Sequence, residues 1–200
     1  MKTPALLLPI AFVAACSSQT ASPTAPISVP VFERGTAASP HSNGGNFGTP
    51  LSSNEEVMPA GVVNDSRARG NATFQLSADG SELSYQLSVA NIDNAFMAHI
   101  HLAPVGVNGP IVVWLYPSTA PTPGPIAGGR LDGVIARGTI TAANLVGPLS
   151  GQPLSALLDA LRSGGAYVNV HTNDGVDPIN TGPGDFPGGE IRSQVEHRGH

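Results

Sequence analysis

Two short strings hold the residue types best suited to chemistry in this chain: Met97-Ala-His-Ile-His-Leu102 and Ala166-Tyr-Val-Asn-Val-His-Thr172. On a β-strand successive side chains point to opposite faces, so His99 and His101 leave one face while Ala98, Ile100 and Leu102 leave the other. Their Cα atoms then lie roughly 7 Å apart, within reach of one ion through bonds of about 2 Å. On the second string Tyr167, Asn169 and His171 share a face opposite Val168 and Val170. If the two polar faces meet, three imidazoles surround one point, a donor set that suits copper or zinc. Asn169, together with Glu190 and Arg192 on one face of a third candidate strand, would orient these ligands through hydrogen bonds. The competing expectation is plainer: the histidines only hydrogen-bond along a polar strand face, because His-x-His alone is a weak motif.

Other residues point to less. Asn173, Asp174, Asp177, Asn180 and Asp185 offer oxygen atoms of the kind calcium prefers, yet they lack the D-x-[DN]-x-[DN]-G spacing and read as a turn-rich solvated loop. No G-x-S-x-G elbow accompanies the serines, and no catalytic residue is assigned. The pair Glu55-Glu56 reads as solvated or paired with arginine, and Trp114 as a core residue. His41, His197 and His200 read as solvated side chains of flexible segments.

Composition narrows the function classes. The 200 residues include 24 Gly and 19 Pro, so turns must be frequent, while 40% hydrophobic residues still allow a core. A net charge of −5 argues against nucleic acid, which needs a basic stripe to neutralise phosphates. No apolar run reaches the 18 or so residues that cross a bilayer as a helix. Lys2 and the apolar stretch Ala5 to Val13, followed by small residues, have the layout of an export signal over 1–15. The string Val13-Ala-Ala-Cys16 resembles a bacterial lipobox, in which the cysteine carries the lipid. That also accounts for one unpaired cysteine in an exported chain. The expectation is a membrane-anchored exported lipoprotein, on the periplasmic or cell-surface side. Residues 16–49, rich in Ser, Thr, Pro and Gly, read as a disordered tether, 50–196 as the folded domain and 197–200 as a tail.

The domain reads as short strands separated by turns. Asn71 to Ser77 and Leu83 to Ala90 alternate apolar with polar residues around Asp79-Gly80, a hairpin signal. Met97 to Leu102, Ile111 to Tyr116, Gly133 to Ile140, Ala166 to Thr172 and Glu190 to Val195 are further strands. Leu154, Leu157, Leu158 and Leu161 fall on one stripe of a short helix that opens near Pro153 and closes at Gly164-Gly165. The fold class is therefore all-β, an antiparallel Greek-key-like sandwich or barrel with one short helix.

Four segments taken together resemble one known family. They are Leu51-Ser-Ser-Asn-Glu-Glu-Val-Met-Pro59, Met97-Ala-His-Ile-His-Leu102, Gly164-Gly-Ala-Tyr-Val-Asn-Val-His-Thr172 and Phe186-Pro-Gly-Gly-Glu-Ile-Arg192, and they are similar to the CHRD domain, first described as a repeat in chordin. Asn108-Gly-Pro110 and Gly138-Thr-Ile140 fit the same pattern. Two features depart from it: Ser193 stands where the family usually has glycine, and Asn173 to Asp185 lengthens a link that is usually short. The resemblance implies a β-rich exported module with no established activity for most members. The histidine pattern also resembles the copper side of copper–zinc superoxide dismutase, although no histidine-rich zinc loop lies between Leu102 and Ala166 and no cysteine pair is present. The readings are thus a binding module holding copper or zinc, a structural or adhesive cell-envelope module without metal that contacts an envelope partner, and a superoxide-dismutase-like oxidoreductase.

Overall fold

A computed structural model describes residues 45–117, 124 and 126–198. The export signal, Cys16, His41, most of the tether and His200 lie outside the described residues. Nine strands follow in chain order: β1 (Asn46–Ser52), β2 (Arg69–Leu76), β3 (Leu83–Asp93), β4 (Ala95–Leu102), β5 (Ile111–Tyr116), β6 (Arg130–Ile140), β7 (Ala166–Thr172), β8 (Ile191–Gln194) and β9 (Glu196–Arg198). One helix, α1 (Leu154–Arg162), lies between β6 and β7. Every strand pairing is antiparallel, in the order β5-β4-β7-β8-β1-β2-β3-β6, with β9 also paired to β1. The outer strands β5 and β6 return alongside one another, so the sheet is a nearly closed barrel.

Period-two alternation fills the barrel. Leu83, Tyr85, Leu87 and Val89 of β3 point inward, as do Ala98 and Ile100 of β4 and Val168 and Val170 of β7. The four leucines of α1 join the same core, which is how a nine-residue helix too short to stand alone is held. Two boundaries differ from expectation. Strand β1 begins at Asn46, inside the segment read as tether, because Phe47 and Leu51 are core residues while Gly48 and Pro50 only dilute their signal. The tail is also partly structured: Glu196–Arg198 pairs with β1, and the His197 ring meets Phe47 edge-on at 5.3 Å.

One side chain bridges the seam between β5 and β6. Tyr85 of β3 donates its hydroxyl to the Leu115 carbonyl of β5 at 2.8 Å. Its ring passes Gly138 of β6, where a Cβ would come within 2.8 Å of it, so only glycine leaves that path open. Tyr85→Phe should therefore lower stability by about 1–3 kcal/mol by leaving a buried carbonyl unmet. Urea unfolding measures this; an unchanged midpoint would mean that the seam does not depend on Tyr85.

Candidate metal centre

The alternation that buries Ala98, Ile100, Val168 and Val170 sends His99, His101, Tyr167, Asn169 and His171 to the outer surface of the barrel wall. An outer sheet face is ordinarily wet, yet His99 is 0%, His101 7%, His171 6% and Asn169 2% exposed. The chain around Glu56, Gly109 and Pro187 lies against them. The β4–β7 ladder pairs His99 with Asn169, His101 with Tyr167 and Met97 with His171, which places His171 diagonally from His99.

The three imidazoles converge. His99 Nδ1 stands 3.0 Å from His171 Nε2, and one nitrogen from each ring lies within 4.8 Å of the other two. Two nitrogens bound tetrahedrally to one ion at about 2.0–2.1 Å are about 3.4 Å apart, so side-chain shifts of about 1 Å bring all three into range. Two backbone carbonyls orient the rings. His101 Nδ1 lies 2.9 Å from the Gly109 oxygen, and His171 Nδ1 lies 2.9 Å from the Pro187 oxygen. A carbonyl only accepts, so each Nδ1 carries the proton and each Nε2 keeps its lone pair. His99 Nδ1 then donates to His171 Nε2. The Nε2 atoms of His99 and His101 are buried with no hydrogen-bond partner.

Burial also sets the protonation state. Removal from water pushes His99 down to about 2 and His171 down to about 4, with neighbouring imidazoles opposing a second charge in each case. His101 is lowered too, first by burial and then by Arg192, against the opposing hydrogen bond to Gly109. All three are therefore neutral near pH 7, the form that binds metal.

Glu190 and Arg192 do not reach a histidine with a hydrogen bond, which corrects the role expected for them; the carbonyls of Gly109 and Pro187 stand in that place. Both instead fasten the cover. The Arg192 guanidinium lies 3.4 Å above the Tyr167 ring centroid, and that ring stacks on His101 at 4.8 Å and 7°. Its nitrogens donate to Asn108 Oδ1 and the Val107 carbonyl, both at 2.9 Å, holding the segment that supplies Gly109. Glu190 accepts from Ser66 Oγ at 2.5 Å, Thr172 Oγ1 at 2.6 Å and the Gly184 amide at 2.8 Å. It thus ties two covering segments to β7. Asn169 makes no hydrogen bond to a histidine either, although the register places it beside His99.

Two residues carry more than the sequence suggested. Trp114 is half-buried on the outer face, paired with His99 and edge-on to its ring at 4.3 Å, rather than in the core. Glu56 is drawn over Asn169, whose Nδ2 donates to Glu56 Oε2 at 3.4 Å. Burial pushes its carboxyl up to about 8 although Arg192 opposes this. Nothing in the string Glu55-Glu56 marks which carboxylate is covered. The Asn/Asp loop uses its oxygens internally: Asn173, Asp174 and Asp185 accept from the amides of Gly175, Val176 and Thr181. Among the described residues, the three histidines are the one group of three potential ligands brought together.

In comparison with known proteins, a family model described as the CHRD domain matches residues 47–195. No curated protein matches the chain.

The buried titratable groups set opposite pH dependences. Each histidine has a folded pKa below its unfolded value of about 6.5, so its contribution is present above that pH and is lost on acidification. Glu56 is raised, so its contribution is present at low pH and is lost as pH rises through about 8. Between about pH 4.5 and 6.5 three histidines outweigh one carboxyl, and above that only Glu56 acts. The chelator-treated protein should therefore unfold at its highest temperature near pH 6.5 and at lower temperatures on either side; a monotonic profile from pH 5 to 8.5 would refute this balance.

Proposed function

The chain belongs to the CHRD family, and we propose that its domain is a binding module that holds one copper or zinc ion through His99, His101 and His171. The observation that carries this reading is the pair of buried, unpartnered Nε2 atoms on His99 and His101, in a cluster that is neutral near pH 7. Each unmet buried group costs about 1–3 kcal/mol in the folded state, and an ion bound by these atoms would recover it in exchange for the His99–His171 hydrogen bond. Three imidazoles suit copper or zinc and leave a further coordination position open.

The same proposal places the domain outside the cytoplasm. Residues 1–15 act as an export signal, Cys16 carries lipid, and the Ser/Thr/Pro-rich segment after it holds the domain away from the membrane surface. The support is the lipobox-like string and its neighbouring composition.

The single tryptophan offers a direct readout, because Trp114 stands against His99. Copper(II) titration should quench its emission with one-to-one stoichiometry. His99→Ala, His101→Ala and His171→Ala should each weaken binding beyond the roughly 10–100-fold cost of losing an outer-shell partner. Changes at His41, His197 and His200 should have little effect. If the module is structural or adhesive instead, the alanine variants will lower metal-free stability while added metal leaves the wild-type melting temperature unchanged.

Cys16→Ser should move the protein from the membrane fraction to the soluble fraction with the domain still folded. Retention of the variant in the membrane pellet, with lipid labelling intact, would contradict the anchor.

A further inference from the structure

Beside the imidazoles lies a second set of unmet polar atoms with different chemistry. Asn169 faces His99 across the β4–β7 ladder and stands two residues before His171 on the same face, so its amide adjoins two of the three rings. Its Nδ2 is engaged by Glu56 Oε2. Asn169 Oδ1 and Glu56 Oε1 are shut off from solvent and have no partner. A Cβ on Gly189 would come within 2.5 Å of Asn169 Oδ1 and 2.7 Å of Glu56 Oε1, so glycine there lets amide and carboxyl sit together. Of the five buried side-chain polar atoms without a partner among the described residues, four belong to this face: Glu56 Oε1, Asn169 Oδ1 and the Nε2 atoms of His99 and His101.

An ion held by three imidazoles answers the nitrogen lone pairs but not the two oxygens. Four-coordinate ions with three protein ligands keep one position for an external ligand. Building on the metal reading above, we propose that this position is a site for one small protic oxygen ligand (water, hydroxide or hydrogen peroxide) hydrogen-bonded to Asn169 Oδ1 and Glu56 Oε1. An amide oxygen only accepts, so the ligand must bring a hydrogen. Glu56 Oε1, unpartnered and next to Asn169, supplies the second hydrogen-bonding atom. An anion without hydrogens cannot satisfy the amide oxygen.

The test uses the full chain loaded with one equivalent of copper(II) and reads the relaxation rate of bulk water protons, which an exchanging copper-bound water accelerates. Quenching of Trp114 reports copper occupancy independently. Wild type should show relaxation in excess of the zinc-loaded protein. Asn169→Leu and Glu56→Leu should lose that excess with copper still bound one-to-one, while Glu56→Gln, which keeps the hydrogen-bonding atoms, should retain it. A wild-type arm does not depend on the folding of any variant: azide, an acceptor-only anion, should leave the excess in place at millimolar concentration. Wild-type copper protein that relaxes water no better than the zinc form, an excess that survives both leucine changes, or its loss to azide would each overturn the proposal and leave the metal reading standing. Failure of wild type to bind copper at all would overturn both.

Discussion

Three imidazoles on the outside of a barrel wall can be removed from water only by chain that folds back over them, and the architecture around β4 and β7 follows from that requirement. The inner face of these strands is occupied by Ala98, Ile100, Val168 and Val170, so the histidines have no place in the core. The chain around Glu56, Gly109 and Pro187 supplies the cover. Two buried charged residues hold that cover in place. Glu190 joins Ser66, Gly184 and Thr172, while Arg192 joins Val107 and Asn108 to the Tyr167–His101 stack. Charged side chains are almost never fully buried unless paired, and here backbone, hydroxyl and amide partners meet them.

The same arrangement explains the electrostatics. Neutral imidazoles fold readily in a dry site, whereas protonated ones would face each other and Arg192 without water to screen them. The cost is a set of lone pairs and oxygens that the protein itself leaves unmet. Among the described residues most of that cost falls at one place, beside Trp114, with Asp185 Oδ1 the other buried side-chain atom left unmet. Each such group in a well-packed domain calls for an explanation, a bound ion or water among them.

Much of this was legible in the residues because the strand period does the work. His99, His101 and His171 alternate with apolar residues, and that alternation alone places them on a common side once β4 and β7 pair. The helix was equally readable from four leucines at helical spacing. What could not be read was the path of the covering segments. Glu55 and Glu56 are chemically identical neighbours, and only the fold decides that the second lies over Asn169. The carbonyls of Gly109 and Pro187 carry no side-chain signal at all. Trp114 was misplaced because a continuous apolar run conceals which residues face outward, and β5 has register irregularities against β4. Strand β1 carries no legible strand signal for a similar reason: Phe47 and Leu51 are separated by residues that favour turns.

The central claim is that one ion bridges all three histidines, and X-ray absorption at the copper edge addresses it directly. The protein, loaded with one equivalent of copper and desalted, should show nitrogen scatterers at about 2.0 Å with the outer-shell scattering of three imidazole rings. A spectrum with a single imidazole or none, or a protein that loses its copper on desalting, would contradict the account.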